Sequence, residues 1–337
     1  MWMLTKVLAS MVLLAGIIVS TGCGPGARQR SEADFSKGKN ITYIVTTGPG
    51  GGYDVYGRMT GGFMQKYIGA DHVVIRNVPG AGHIVGTNTL WQSKPDGLTI
   101  GTFDTGLIYG QIIGRKAQEF DLKKFEWIGK ASSDARAIVV SKTCDIKTVD
   151  DLLNAKKPVK FAVAGIGSAS YVDLKLAAEA LNLNIEPIAG YNGTEGEMSM
   201  MRGDTCATLG SASSMADFVG AGSASYLLTI GDKMEGVADA MDYAKTDEAK
   251  HIISMISSMA QLGRVTAAPP GTSPERVAAL RAAYKKSLED PGLLAYAKKM
   301  NLPIKPAYGN DVKALVTAAL DQTPETAAII ARAVEAK

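Results

Sequence analysis

The stretch TTGPGGGYDVYGR, at Thr46–Arg58, has the residue types and spacing of an anion-binding loop. Four glycines and a proline occupy positions 48–52, and a predicted helix begins at Asp54. The preceding residues ITYIV, at 41–45, predict a strand. Free backbone amides at a helix N-terminus attract anions, and glycine lets the backbone approach a ligand closely. The stretch therefore predicts an anion site, which serves either binding alone or catalysis.

Motifs for nucleotide binding and hydrolysis are missing from the sequence. It has no G-x-x-x-x-G-K-[ST] stretch, no G-x-G-x-x-G spacing in the glycine loop and no G-x-S-x-G elbow. The three histidines, His72, His83 and His251, have no neighbours at metal-binding spacing. We therefore predict no catalytic residue, metal or cofactor. An exported α/β hydrolase remains the alternative, because a His and a Ser can also meet without a local motif.

Strand and helix signals alternate along most of the chain. The segments HVVIRN (72–77), LTIGTF (98–103) and VKFAV (159–163) predict strands, with periodic apolar residues predicting helices between them. This alternation predicts parallel sheets with helices on both faces and ligands at the carboxyl ends of strands. Four polar loops follow predicted strands, in two groups well separated in sequence. The pattern predicts an α/β fold whose two lobes face one cleft; the loops are 48–53, 103–106, 165–170 and 191–194.

The N-terminal residues predict export. Lys6 precedes an apolar run at 7–19 and then small residues, so residues 1–22 read as a signal peptide. Cys23 follows Gly22 as in a bacterial lipoprotein lipobox, although Ser20 stands where leucine is usual. Residues 23–38 are polar and predict a tether from a lipid anchor. We expect a membrane-anchored extracytoplasmic lipoprotein; cleavage to a free soluble protein is the alternative.

Composition limits the partners and leaves one redox question open. A net charge of +3 over 337 residues, without a basic tract, excludes nucleic acid as an expected partner. With 46% hydrophobic residues the chain can build a large core, and we expect a monomer.

If Cys23 carries lipid, two cysteines remain, Cys144 and Cys206. An exported compartment permits a disulfide between them, and two buried thiols are equally compatible with the sequence.

Several segments together resemble the extracytoplasmic solute receptors of the tripartite tricarboxylate transporter family, also called Bug receptors. They include PGGGYDVYGRMTGGFMQKYIG at 49–69, VVIRNVPGAGHIVGTNTL at 73–90 and KPDGLTIGTFDTG at 94–106. VKFAVAGIGSASYVDLKLAAEAL and YNGTEGEMSMMRGD follow in the family's order. The resemblance covers about residues 40–310, and the motifs are specific as a set although each is weak alone.

The resemblance implies a two-lobed, periplasmic-binding-protein-like (Venus flytrap) fold, each lobe a sheet flanked by helices. It assigns residues 39–139 and 264–337 to the first lobe and 140–263 to the second. In the family, the glycine loop and a Gly-x-Gly-Ser loop of the second lobe clamp a carboxylate, partly through waters. The ligand-binding residues that the resemblance implies here are Gly50, Gly51, Gly52, Tyr53, Asp54, Asp104, Thr105, Gly167, Ser168, Ala169, Ser170, Asn192, Gly193 and Thr194.

The resemblance also implies a function. The receptor would capture a small organic carboxylate, a di- or tricarboxylate or an aromatic acid, and deliver it to the membrane subunits of a tripartite transporter. Presentation of the ligand to a membrane sensor kinase is a further alternative. The chain departs from the family at Tyr171, at Cys206 and at QLGRVTAAPPGT (261–272), where a tryptophan segment is usual. These departures leave the identity of the acid open. Tyr53 and Tyr171 are compatible with an aromatic or longer acid, and equally with side chains that only pack in the protein.

Overall fold

The computed structural model describes residues 34–335. The predicted signal peptide at 1–22, the lipidation site Cys23 and residues 23–33 of the predicted tether lie outside these residues. Phe35 and Ser36, which the sequence placed in the predicted tether, are buried in the fold. Ser36 Oγ donates a hydrogen bond to the Ile68 carbonyl at 2.6 Å. Between residues 34 and 335, no helix is both long and apolar enough to cross a membrane.

The chain alternates strands and helices, as the sequence predicts. The strands are β1 (Asn40–Val45), β2 (His72–Asn77), β3 (Thr99–Thr102), β4 (Glu126–Lys130), β5 (Arg136–Ser141), β6 (Val159–Val163), β7 (Ile185–Ala189), β8 (Ala207–Ser211), β9 (Ala224–Ile230), β10 (Ala238–Asp239), β11 (Val265–Ala268) and β12 (Ala307–Tyr308). The helices are α1 (Gly52–Ile68), α2 (Ile84–Trp91), α3 (Gly106–Ile112), α4 (Val149–Leu153), α5 (Ala169–Leu181), α6 (Glu195–Arg202), α7 (Ala216–Gly220), α8 (Asp247–Ala260), α9 (Pro274–Glu289), α10 (Pro291–Lys299), α11 (Gly309–Leu320) and α12 (Pro324–Glu335).

Two six-stranded sheets form the two lobes. Lobe 1 is built on the sheet of order β12-β4-β11-β3-β1-β2, and lobe 2 on the sheet of order β10-β9-β5-β8-β6-β7. Helices cover both sheets, as when α1 packs on β2 and α5 packs on β8. The predicted two-lobed α/β class is confirmed.

The prediction of parallel sheets is wrong for the strands that cross between lobes. β5 runs antiparallel to both of its neighbours, β8 and β9, and β11 runs antiparallel to β3 and β4. The two-residue strand β12 also runs antiparallel to its neighbour β4. The remaining strands of each lobe reach the cleft with their carboxyl ends, whereas β5 and β11 enter their lobes from the cleft. The residues at the start of these two strands therefore lie at the cleft.

The predicted lobe boundaries differ from the sheet boundaries in two places. Residue 139 lies inside β5, which belongs wholly to the second sheet. The last helix, α12, was predicted in the first lobe but packs against α5 of lobe 2. Its buried residues Thr326, Ile330 and Ala333 recur at helical spacing and form one apolar face. The Arg332 guanidinium on the same helix pairs with Glu179 and Glu248 of lobe 2.

Cys144 and Cys206 are joined by a disulfide, with their Cα atoms 5.3 Å apart. Cys144 follows β5 and Cys206 precedes β8, and these two strands are neighbours in the second sheet. The bond thus joins the ends of two adjacent strands. Of the two alternatives that the sequence left open, a disulfide or two free thiols, the structure has the disulfide.

Candidate functional site

A cavity of about 130 Å³ lies between the lobes, at the ends of strands from both sheets. Lobe 1 lines it with the glycine loop and the start of α1, and with His83 and Asp104. Lobe 2 lines it with the loops that follow β6, β7 and β8. Strand ends of two sheets thus meet at one site, as expected for a ligand cleft in an α/β protein.

Asp54 holds the glycine loop in place. Its carboxylate accepts hydrogen bonds from Gly50 N at 2.9 Å, Arg58 Nε at 2.9 Å and Asn77 Nδ2 at 2.8 Å. Burial acts to raise the pKa of Asp54, but these hydrogen bonds, led by that from Arg58, hold it below its ordinary value. Gly50 has a φ of +84°, a conformation that favours glycine. Asp54 therefore shapes the loop and does not line the cavity.

The helix α1 begins at Gly52, two residues earlier than predicted. Its N-cap is Gly51, which offers no side-chain acceptor to the first amides of the helix. Gly51 and Gly52 both line the cavity. The positive end of α1 is thus directed at the cavity without a side-chain cap.

The Gly-x-Gly-Ser loop of lobe 2 leads into a helix start that is already bonded to a carboxylate of lobe 1. Asp104 Oδ1 accepts hydrogen bonds from Ala169 N at 2.7 Å and Gly106 N at 2.8 Å. Ser168 is fully buried, and its hydroxyl donates to the Gly165 carbonyl at 2.8 Å and accepts from Tyr171 N at 3.3 Å. The Ser168 hydroxyl therefore caps α5, and the Asp104 carboxylate occupies the start of that helix.

The rims of the two lobes touch beside the glycine loop. A Cβ atom built on Gly51 would lie 3.0 Å from Gly193 Cα, and one built on Gly48 would lie 3.1 Å from Asn192 Cβ. Thr194 lies next to Gly50, where its Cγ2 would be 3.3 Å from a Cβ atom. This contact closes one side of the cavity.

The structure brings most of the predicted site residues to the cavity. The predicted residues that line it are Gly51, Gly52, Tyr53, Asp104, Ala169, Ser170, Asn192 and Gly193. The other predicted residues lie in the same loops but do not line the cavity; they are Gly50, Asp54, Thr105, Gly167, Ser168 and Thr194. Ligand contact by any of these residues stays a prediction.

Two arginines at the cavity were not predicted. Arg136, the first residue of β5, forms an ion pair with Asp173 at 2.7 Å. Burial raises the pKa of Asp173 to about 6, while Arg136 acts to lower it. The helix α5 directs the Asp173 carboxylate at Arg136.

Arg264, immediately before β11, is 7% exposed and lines the same cavity. Its Nη2 donates to Ser211 Oγ at 2.9 Å and to Ser214 Oγ at 2.7 Å. The guanidinium carbon lies 4.8 Å from the ring centre of Tyr53 and 4.9 Å from that of Tyr56. The signal in the sequence was the arginine inside QLGRVTAAPPGT, the segment that departs from the family pattern.

Two further ionisable side chains that line the cavity are His83 and Glu197. His83 Nδ1 donates to the Thr46 carbonyl at 2.9 Å, and Nε2 lies 3.5 Å from Asp104 Oδ2. Burial, with a smaller effect of Asp217, raises the pKa of Glu197 to about 7. Among residues 34–335, no group of three His, Cys, Asp or Glu side chains could hold a metal ion.

Comparison with known sequences places this architecture in a family. The model of the tripartite tricarboxylate transporter family receptor matches residues 58–333. A UPF0065 protein in the gbd 5' region of Cupriavidus necator is 23% identical over 284 residues, covering 83% of this chain and 84% of that protein. A UPF0065 protein in the tcbD-tcbE intergenic region of Pseudomonas sp. (strain P51) is 27% identical over 177 residues, covering 51% of this chain and 52% of its own length. The chain therefore spans about half the length of this second relative.

Solved structures share the fold. The periplasmic binding protein BugD superposes with a TM-score of 0.74 at 20% identity, covering 88% of this chain and 97% of BugD. MatC from Rhodopseudomonas palustris, solved with bound malate, gives a TM-score of 0.72 at 17% identity, covering 87% and 99% of the two chains. With the family model matching most of its length, the chain belongs to the tripartite tricarboxylate transporter receptor family.

Proposed function

We propose that this protein is an extracytoplasmic receptor that captures a small organic carboxylate and delivers it to the membrane subunits of a tripartite transporter. The observation that carries the proposal is the cavity between the lobes, with the uncapped N-terminus of α1 directed at it. Helix N-termini in glycine-rich loops bind anions through backbone amides. Ser170, Ser211 and Ser214 of lobe 2 also line this cavity and make its wall polar.

Binding without catalysis agrees with the surroundings of His83. Its Nδ1 proton is directed at the Thr46 carbonyl, and its Nε2 faces the Asp104 carboxylate rather than a serine hydroxyl. A serine hydrolase needs a histidine nitrogen that accepts the serine proton. This histidine is therefore not arranged as a general base, which supports a receptor over an α/β hydrolase.

A thermal-shift screen of the mature protein tests the function. We expect at least one acid among malate, adipate, citrate and benzoate to raise the melting temperature. Malate and adipate are included because two solved relatives of the same fold hold them. A ligand at 100 times its Kd stabilises the folded state by about 2.7 kcal/mol. Shifts with sugars or amino acid amides, and none with any of these acids, would contradict carboxylate binding.

We further propose that the mature protein begins at a lipidated Cys23 and acts as a monomer. Mass spectrometry of the protein from its own membranes is expected to show an acylated Cys23. A mature terminus at another residue would reject the anchor without affecting the proposed ligand. Light scattering of the protein without its lipid is expected to give the mass of one chain.

A further inference from the structure

We propose that Arg264, with Ser211 and Ser214, forms a subsite that binds one carboxylate of the ligand at the N-terminus of α1. This inference rests on the proposed function and adds a side-chain cation to a site that the sequence assigned to backbone amides alone. It makes Arg264 a specificity-determining residue, which distinguishes a carboxylate from a neutral group of the same shape.

The guanidinium of Arg264 lies against the first residue of α1. A Cβ atom built on Gly52 would lie 2.6 Å from Arg264 Nη2 and would also overlap Ser214 Oγ. Any residue other than glycine at position 52 would therefore displace the arginine. The 17-residue helix α1 directs its uncapped amides to the same place. Two positive groups thus converge on one point of the cavity wall.

Arg264 lacks a partner of the kind that Arg136 and Asp104 have at the cavity. Arg136 is paired with Asp173 at 2.7 Å, and Asp104 is bonded to two amides beside His83. Among the residues described, Arg264 forms no ion pair; its Nη2 contacts two neutral hydroxyls and its Nε has no partner. A buried cation without a counter-ion is unfavourable, so a ligand anion would supply the missing charge.

The two serines have different hydrogen-bonding roles. Ser211 Oγ donates to the Asp134 carboxylate at 2.6 Å and accepts from Arg264 at 2.9 Å, so its proton is already committed. Ser214 Oγ accepts from Arg264 at 2.7 Å. Because a hydroxyl has one proton and two lone pairs, Ser214 can still donate to an anion in the cavity. Arg264 and Ser214 together therefore offer two donors to one carboxylate.

The backbone of Arg264 supports a role for its side chain. Its φ is +59°, in the left-handed region that disfavours residues with a Cβ atom and favours glycine. A residue chosen for the turn alone would be glycine. Strained positions of this kind cluster at ligand sites, where the surrounding structure holds them in place.

Calorimetry with two variants of Arg264 in the mature protein tests the subsite. The probe is whichever of malate, adipate, citrate and benzoate binds wild type most tightly, together with its carboxamide analogue. We expect Arg264→Gln to weaken binding of the acid by about 30-fold or more, since removing one member of a buried charge pair costs at least about 2 kcal/mol. Arg264→Lys should recover part of this loss, because the charge is kept but the fork of donors is lost. The wild type should prefer the acid over its amide, and Arg264→Gln should lose this preference.

Two further variants separate the subsite from folding and from net charge. Arg76→Gln removes the same charge from an exposed residue of β2 that lies outside the cavity lining, and it should bind as wild type does. Ser214→Ala keeps the guanidinium and should weaken the acid by about tenfold, which tests the subsite even if Arg264→Gln does not fold. Wild-type affinity in folded Arg264→Gln or, failing that variant, in Ser214→Ala would overturn the subsite and leave the proposed function standing. If wild type binds none of the acids, the proposed function fails and the subsite fails with it.

Discussion

Glu197 is a single carboxyl group that should make the stability of this protein depend on pH. Burial, helped by Asp217, raises its pKa to about 7, above the value of an unfolded glutamate. The folded protein therefore binds the proton more tightly than the unfolded chain does. The raised pKa of Glu197 therefore stabilises the folded protein at low pH. This stabilisation is lost as the pH rises from about 4.5 to about 7.

We predict that Glu197→Gln becomes more stable relative to wild type as the pH rises through this window. The neutral amide cannot ionise, so it avoids both the burial of a charge and repulsion from Asp217. Urea denaturation at several pH values between 4.5 and 8 measures the difference. Glu186→Gln, at an exposed position of β7, is the control and should show a flat difference. A flat difference for Glu197→Gln would reject the raised pKa.

Ser168 shows how a residue can be correctly placed in a loop and still have another role. The sequence suggested that its hydroxyl meets the ligand carboxylate. In the structure this hydroxyl is buried and bonded to the backbone of its own loop, as the N-cap of α5. Removal of such a cap is expected to cost stability, about 1 kcal/mol, before it affects the ligand directly.

The glycine loop is the element whose closeness to lobe 2 can be tested most directly. Gly51 has φ −75° and ψ 166°, which any residue adopts, but a Cβ atom there would lie 3.0 Å from Gly193 Cα. We predict that Gly51→Val folds and weakens ligand binding by about tenfold or more, because the branched side chain holds the lobes apart at this rim. Calorimetry measures the affinity, and circular dichroism checks the fold.

Gly62→Val provides the matched change on the same helix. A Cβ atom at Gly62 meets nothing within 4 Å, so the added side chain points into open space. This variant should bind as wild type does. Equal binding by both variants would show that the glycine loop does not need to approach lobe 2.

The disulfide is the second element-scale feature with a measurable effect. It links residues 62 positions apart and therefore restricts a long loop of the unfolded chain. We predict that replacing both Cys144 and Cys206 with serine lowers the free energy of unfolding by about 4 kcal/mol in the chain-entropy model. Denaturation with and without reductant gives the measurement, and reduced wild type should match the variant. Two free thiols in denatured, unreduced wild type would contradict the bond.

At the scale of the whole molecule, Asp104 connects the two lobes. This lobe 1 carboxylate accepts a hydrogen bond from Ala169 N at the start of α5 in lobe 2. We predict that Asp104→Ala increases the fraction of open molecules, because it removes this bond and leaves a buried amide without its acceptor. Small-angle scattering of the ligand-free variant should give a larger radius of gyration than wild type. Asp204→Ala, which removes an exposed carboxylate of lobe 2, should not change it.

Local patterns in the sequence determined the class of the fold and the region of the site. Apolar periodicity and turn residues predicted the strands and the loops after them, since these signals depend on neighbouring residues. The glycine loop at 48–53 and the loops at 165–170 and 191–194 were placed at the cleft for this reason. The family motifs then predicted two lobes, which the two sheets confirm.

The tertiary structure alone decided which groups the charges at the cavity contact. Arg264 meets Ser211 and Ser214, and Asp104 meets Ala169, across sequence separations that no local period encodes. Both unpredicted arginines stand at the beginning of crossover strands, whereas the rule for parallel sheets directs attention to strand ends. The strands β5 and β11 run opposite to their neighbours because the chain enters each lobe from the cleft at these points. Packing of distant segments, which only the folded chain brings together, thus placed Arg136 and Arg264 at the cavity.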